Sequence, residues 1–255
     1  MIVKNEDQIG ELRVAGALLS LVLRETTKLV REGATTAELD TFAEGMIREE
    51  GGVPAFLNYK PRGARFPYPA VLCVSVNEEV VHGIPSEDHV LKSGDMISLD
   101  LGLSYNGYFV DSAITMFVGE GDVKGQKLLD GTRECLAAAL GSIRVGGHIG
   151  DIGAAVETVA RRYQFSVVEE LGGHAVGKGV HEKPFIANFG RVGEGEKIVD
   201  GYVLAIEPIL AEGTGKISLL EDEWTYVTRD SSRSAHFEQT IVVTKKGVEI
   251  LTPFL

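Results

Sequence analysis

Two aspartates, Asp100 and Asp111, lie in alternating apolar runs on either side of Asn106-Gly107, the dipeptide that most strongly marks a two-residue hairpin turn. Pairing Tyr105 with Tyr108 across that turn sets Asp100 opposite Ala113 and Asp111 opposite Gly102. Side chains alternate along a strand, so Asp100, Gly102, Asp111 and Ala113 share one face. The two carboxylates are then diagonal neighbours, about 7–8 Å apart at the backbone, and their side chains can converge. A four-residue loop keeps this register; a three-residue loop breaks it. Gly102 and Ala113 are small and leave room beside the acids. Solvation on an exposed face is the plain alternative. Yet Ile97, Leu101, Leu103 and Phe109 make the hairpin apolar, and acids among core strands are rarely left unpaired. The pair suits a metal site or paired-carboxylate catalysis, and either needs further groups.

Those groups lie downstream. His174 and His181 occupy the stretch Gly172–Glu182, which reads as a glycine-rich loop; its glycines disfavour a helix that would carry a ligand pair. HExxH is absent, because Phe185 stands where the second histidine would be. GxxxxGK[ST] and GxGxxG are absent too, which argues against a phosphate cradle. Glu207 follows the apolar run Tyr202–Ile206 and precedes Pro208, which ends the strand and leaves the glutamate at its mouth. Glu238 lies in another strand, with His236 on the same face. Buried glutamates need a partner, and a cation is the simplest one. Two aspartates, two glutamates and a histidine in apolar strands form a ligand set for a carboxylate-rich two-metal centre.

The elements that must position them follow from periodicity and capping. A helix is expected over 6–32, with Asn5 as cap and Ile9, Leu12, Leu19, Val22 and Val30 near one stripe. Thr35 and Glu38 form a capping box opening a second helix to about Glu50, which Gly51-Gly52 stops. From Val53 to Ala70 the chain reads as an aromatic-bearing loop, a surface crossover or a pocket wall. Strands are expected over 71–76, 166–171, about 199–210 and about 235–244, and helices over about 122–142 and 150–163, with Cys135 in core packing. Two helices followed by acid-bearing strands occur twice, which suggests two similar halves facing each other within a single α+β domain spanning 1–255.

Composition narrows the class. The 255 residues are 44% hydrophobic and 24% charged, an ordinary globular balance. A net charge of −12 argues against a nucleic-acid surface. No apolar run is long enough for a membrane span, and the N-terminal stretch lacks a signal-peptide core. Cys73 and Cys135, the 2 cysteines, make no CxxC and no disulfide framework, so a reducing cytoplasm fits.

The ordered set Asp100, Asp111, His174, Glu207 and Glu238 resembles the dinuclear metal site of the methionine aminopeptidases, of pita-bread fold. The strings NEEVVHGIP from Asn77, SLDLG around Asp100, GGHAVGKGVHEKP, AIEPIL and HFEQT carry the resemblance, which runs from Asn5 to the C-terminus. It implies two pseudo-symmetric αα/β halves around a central, mainly antiparallel curved sheet, in a type I enzyme. It also implies two divalent ions (cobalt, manganese, iron or zinc), bridged by Asp111 and Glu238, with Asp100 on one and His174 with Glu207 on the other. Glu207 would be the general base for water attacking the carbonyl after an N-terminal methionine. His82 and His181 would hydrogen-bond the scissile group. The implied partner is a peptide or nascent protein with a free N-terminal methionine and a small second residue, met by a monomer that can dock on the ribosome.

For the methionine pocket the resemblance points to Tyr68, Cys73 and Trp224, with Phe66 beside them. Val180 before His181, Val81 before His82 and the stretch Lys60–Pro67 depart from the family pattern, and bear on pocket shape. Two other readings remain open from sequence: a proline-specific aminopeptidase or prolidase of the same fold, and an inactive pita-bread binding protein.

Overall fold

The Asn5 side chain accepts a hydrogen bond from Gln8 N–H and opens helix α1 (Glu6–Thr27), with Glu6 and Asp7 in its positive first turn. The computed structural model, which describes residues 1–254, ends this helix short of the expected Glu32. Lys28, Leu29 and Val30 instead close three-residue turns onto Glu25, Thr26 and Thr27 carbonyls, and Leu29 and Val30 pack on the core from there. Helix α2 (Thr36–Glu49) begins with the Thr35–Glu38 capping box read from sequence. Helix α3 (Val123–Ser142) starts at Asp122, which accepts from Gly125 N–H, and α4 (Ile149–Tyr163) follows it.

The strands of the first half are β1 (Val53–Pro54), β2 (Leu72–Val76), β3 (Glu79–Val81), β4 (Met96–Tyr105) and β5 (Tyr108–Phe117). After α4 come β6 (Ser166–Val167), β7 (Gly172–Ala175), β8 (Glu182–Ala187), β9 (Val203–Ile206) and β10 (Ile209–Ala211). The chain ends with β11 (Ile217–Leu219), β12 (Tyr226–Thr228), β13 (Ser234–His236), β14 (Glu238–Thr244) and β15 (Gly247–Ile250). A nine-stranded sheet runs β1-β4-β5-β14-β9-β7-β8, with β2 also on β4 and β15 on β14. Its pairings are antiparallel. Small three-stranded sheets, β13-β10-β6 and β11-β12-β3, flank it.

Leu12, Leu19 and Val22 of α1 and Leu39 and Ile47 of α2 pack against Leu72, Leu99, Leu101 and Leu103. Leu128, Leu136, Ile152 and Val156 of α3 and α4 pack with Cys135 against Leu204, Ile241 and Val243. Each pair of helices thus covers its own half of the shared sheet, as the doubled order of elements leads one to expect.

The β4–β5 hairpin adopts the expected register: Tyr105 pairs with Tyr108, Asp100 with Ala113, and Gly102 with Asp111. Asn106 and Gly107 have φ of 50° and 75°, the left-handed pair this turn requires. The glycine-rich stretch corrects the loop reading. Gly172 and Gly173 lie in β7 because neighbouring backbone comes too close for a side chain. A Cβ on Gly172 would stand 2.5 Å from Ile186 O, and one on Gly173 2.4 Å from Ala205 O. The expected strand over 166–171 is shorter, stopping at Val167. The two C-terminal strand regions each break, at Glu207-Pro208 and at Phe237.

Candidate metal centre

Register alone builds most of the site. Across four strands, Cys73 (β2) faces Asp100 (β4), Asp100 faces Ala113 (β5), and Ala113 faces Glu238 (β14). Directly opposed residues share a face, so Cys73, Asp100 and Glu238 line one row, with Asp111 diagonal to it. Gln239 pairs with Ile206, which brings Glu207 beside Glu238 just past the end of β9. His174 pairs with Ala205, on the same face as Glu207. The five expected ligands therefore come together from β4, β5, β7, β9 and β14.

Their distances are those of groups gathered around a common point. Donor atoms of Asp111, His174 and Glu238 lie within 4.8 Å of one another. His174 Nε2 is 3.5 Å from Glu207 Oε1 and 4.0 Å from Asp111 Oδ2. Asp100 Oδ1, Asp111 Oδ1 and Glu238 Oε1 are buried without any hydrogen-bond partner. Among the described residues no lysine or arginine forms an ion pair with these four carboxylates. Loss of water pushes Asp100 up to about 6 and holds Asp111, Glu207 and Glu238 well above the ordinary carboxylate range. Neighbouring negative charge adds to this at Asp111 and Glu238. Orphaned, mutually repelling carboxylate oxygens beside a buried imidazole fit divalent metal, which would satisfy the lone pairs and the charge together.

The centre forms one end of a cavity of about 470 Å³, whose walls include Phe56, Tyr59, Tyr68, Cys73, His82, His181 and Trp224. Trp224 meets Tyr68 edge-on at 5.2 Å between centroids and His82 at 6.1 Å. His82 holds a φ of 59°, a conformation unusual for a residue with a side chain, next to Gly83, whose Cβ would lie 2.2 Å from Val74 O. The close crossing of these two segments fixes the turn that aims His82 into the cavity. His181 Nδ1 is 2.9 Å from the Tyr59 hydroxyl, and its ring centroid is 4.4 Å from that of His174. Burial in the cavity lowers His82 to about 4, and His181, more open to solvent, is lowered in the same direction, which leaves both imidazoles neutral at physiological pH.

Tyr68, Cys73 and Trp224 lie on the cavity wall as expected, and Phe66 does not. Phe66 is 52% exposed and carries the Arg65 guanidinium over its ring. Its place is taken by Phe56, whose ring lies 2.5 Å from where a Cβ on Gly102 would be. The room that Gly102 provides is therefore filled by an aromatic wall, not kept open beside the acids. Phe56 and Tyr59 stood in sequence only as aromatics in a loop of undecided role. His236 is likewise at the centre, with Nε2 3.4 Å from Glu207 Oε2. Its shared face with Glu238 was the available signal.

Fold and site together define a metal-dependent peptidase of the pita-bread class. The sequence matches metallopeptidase family M24 over residues 10–245. The chain belongs to that family, within its methionine aminopeptidase branch. It is 41% identical to the methionine aminopeptidase of Aquifex aeolicus over 250 residues, covering 97% of both chains. It superposes on the crystal structure of the Thermotoga maritima methionine aminopeptidase with a TM-score of 0.93 at 40% identity, covering 99% of each. The Xaa-Pro dipeptidase of Bacillus anthracis shares the fold, with a TM-score of 0.76 at 21% identity over 98% of this chain and 62% of that one.

Proposed function

We propose that the chain releases the N-terminal methionine of peptides and nascent proteins, with a small second residue preferred. One observation carries this reading: three buried carboxylates, the partly buried Glu207 and His174 line a cavity walled by Phe56, Tyr68, Cys73 and Trp224. Whole-length similarity to methionine aminopeptidases supports it over the prolidase alternative, whose relatives share only the fold. The chain would act as one catalytic domain, as a cytoplasmic monomer able to meet nascent chains at the ribosome.

Asp100, Asp111, His174, Glu207 and Glu238 would together hold two divalent ions. Four carboxylates balance the charge of two such ions, which supports the number. Oxygen-rich ligands with one imidazole suit manganese, iron, cobalt or zinc. When bound, the ions supply Lewis acidity and lower the pKa of water at the site.

The chain's own groups supply the rest. Glu207, at the mouth of β9, takes a proton from the attacking water and passes it to the leaving amine. With the Tyr59 hydroxyl donating to Nδ1, the His181 ring carries its proton on Nε2 and becomes a donor for the scissile carbonyl oxygen. His82, neutral and fixed by its turn, approaches the same group from the Trp224 side. The polarisable thioether of methionine suits contact with the aromatic faces of Tyr68, Phe56 and Trp224.

Two measurements test this. Metal-loaded protein should cleave a Met-Ala-Ser peptide and not an Arg-Pro-Pro peptide; cleavage of the second alone would replace this reading with a proline-specific one. Glu207→Gln should abolish turnover while leaving the fold intact, and a fully active variant would sink the role given to Glu207.

A further inference from the structure

One buried group at the centre has no part in the chemistry above. His236 is 2% exposed, and neither of its ring nitrogens has a hydrogen-bond partner. Nε2 lies 3.4 Å from Glu207 Oε2 and 3.7 Å from Glu238 Oε2. His174 Nε2 approaches the other Glu207 oxygen, Oε1, at 3.5 Å. Glu207 thus stands between two imidazoles, one facing each oxygen. His236 lies outside the trio of Asp111, His174 and Glu238 whose donor atoms converge. It therefore faces the glutamates from beside that trio.

The backbone of His236 is held with unusual completeness. The Thr115 hydroxyl accepts from His236 N–H and donates to His236 C=O, both at 2.8 Å. Its single proton is committed there, so in the 2.7 Å contact with Ser98 the serine hydroxyl is the donor. The Thr115 hydroxyl of β5, itself contacted by Ser98 of β4, thereby fixes one residue at the break between β13 and β14. If the ring merely filled space, phenylalanine would serve as well. An imidazole buried here without partners is costly to keep unless its N–H is used.

We propose that His236 is a positioning residue for Glu207, its Nε2–H donating to Oε2. The adjacent carboxylates select the tautomer with the proton on Nε2. The main chain of Glu207 is already tied down, because Asn188 Nδ2 donates to its carbonyl at 2.9 Å. His236 completes this by fixing the carboxylate plane, so that Oε1 stays turned toward His174. The distance of 3.4 Å is longer than the ~2.9 Å of a formed bond, and a small turn of the carboxylate closes it. This inference rests on the peptidase reading for what Glu207 does, but not for how it is held.

The test compares three variants by calorimetric titration of metal-stripped protein with manganese alone, and by steady-state cleavage of Met-Ala-Ser. His236→Phe keeps ring volume and removes the donor. It should bind manganese roughly 10–100-fold more weakly, with kcat lowered and KM little changed. His236→Gln offers an amide N–H and should recover most of both. Thr115→Val frees the backbone of His236 without touching its ring and should shift manganese binding in the same direction. Manganese affinity and kcat within twofold of the parent in His236→Phe would overturn the proposal, as would a glutamine variant no better than phenylalanine. Should His236→Phe fail to fold, unchanged manganese binding in Thr115→Val overturns it equally. A parent protein that binds manganese but releases no methionine would refute the peptidase reading, while the calorimetric comparison still decides the role of His236.

Discussion

Thr240 holds Asp111 by both of its backbone polar groups. Asp111 N–H donates to Thr240 Oγ1 at 2.9 Å, and that hydroxyl donates back to Asp111 C=O at 2.8 Å. The ladder between β5 and β14 covers only Ala113–Glu238 and Ser112–Gln239, so Asp111 lies just where it stops. The threonine side chain replaces the next ladder rung and keeps the carboxylate in place where the strands separate. Thr115 makes the same reciprocal pair with His236 on the other side of that short ladder.

Thr240→Val therefore strands a buried donor and a buried acceptor. Stability should fall by on the order of 1–3 kcal/mol, and manganese affinity by roughly 10-fold, while Thr240→Ser stays near the parent. Chemical denaturation and calorimetry on the same preparations read both. A valine variant that loses stability but keeps full metal affinity would show that Asp111 does not depend on this clamp.

Gly102 and Ala113 flank the same two aspartates yet answer to different neighbours. A Cβ on Gly102 would meet the Phe56 ring at 2.5 Å, whereas Ala113 stands between Asp100 and Glu238 in the cross-strand row. Gly102→Ala should displace the pocket wall, raising KM for a methionine peptide roughly 10-fold with metal affinity unchanged. Ala113→Leu should weaken metal binding directly by crowding the carboxylates. Equal effects of the two substitutions on metal affinity would contradict this division.

Metal removal should reveal the strain among the buried acids. Folding raises Asp100 to about 6 and lifts Asp111, Glu207 and Glu238 well above their ordinary range, chiefly by burial. Unfolded carboxylates titrate near pH 4, so from about pH 4 upward these four groups hold more protons in the folded, metal-free protein than in the unfolded chain. Burial lowers His82, His174, His181 and His236, which oppose this below about pH 6.5, where the unfolded imidazoles take up protons, but are neutral in both states above it. The midpoint of thermal unfolding of metal-stripped protein should therefore increase from about pH 8.5 to about pH 7, where the carboxylates act alone. Metal-loaded protein should lose that trend and be more stable at pH 7, by about 4 kcal/mol at a thousandfold excess over Kd. A metal-stripped protein whose midpoint drops between about pH 8.5 and about pH 7 would mean that the carboxylates are not the strained element.

The centre was legible in sequence because hairpin chemistry transmits register. Asn106-Gly107 fixed which residues face one another, and the alternation of β4 and β5 then placed both aspartates on one face. Glu207 was equally readable, since Pro208 forces the strand to end beside it. What sequence misjudged turns on contacts between distant segments. Gly172 and Gly173 look like loop residues, yet they are glycine because Ile186 O and Ala205 O crowd a strand. Phe56 and Phe66 are alike as letters in one aromatic stretch, and only tertiary packing turns one inward and the other out. The part of His236 depends on a 3.4 Å approach to Glu207, which follows from breaks in β13–β14 and β9–β10 that no local pattern announces.

Tyr59 offers the most discriminating single-atom change. Its hydroxyl is 2.9 Å from His181 Nδ1, and His181 has its other nitrogen free for substrate. The two rings also pack at 5.2 Å between centroids, so Tyr59→Phe removes the hydroxyl while keeping the packing. A net hydrogen bond of this kind is worth about 0.5–1.5 kcal/mol, which predicts a fall in kcat of roughly 2–10-fold with metal affinity untouched. His181→Ala should cost far more, of order 10²-fold if His181 stabilises developing charge on the carbonyl oxygen. In His181→Ala the tyrosine hydroxyl has nothing left to orient, so adding Tyr59→Phe to it should change kcat no further. Additive losses in the double variant would mean that Tyr59 acts on the substrate itself and not through His181.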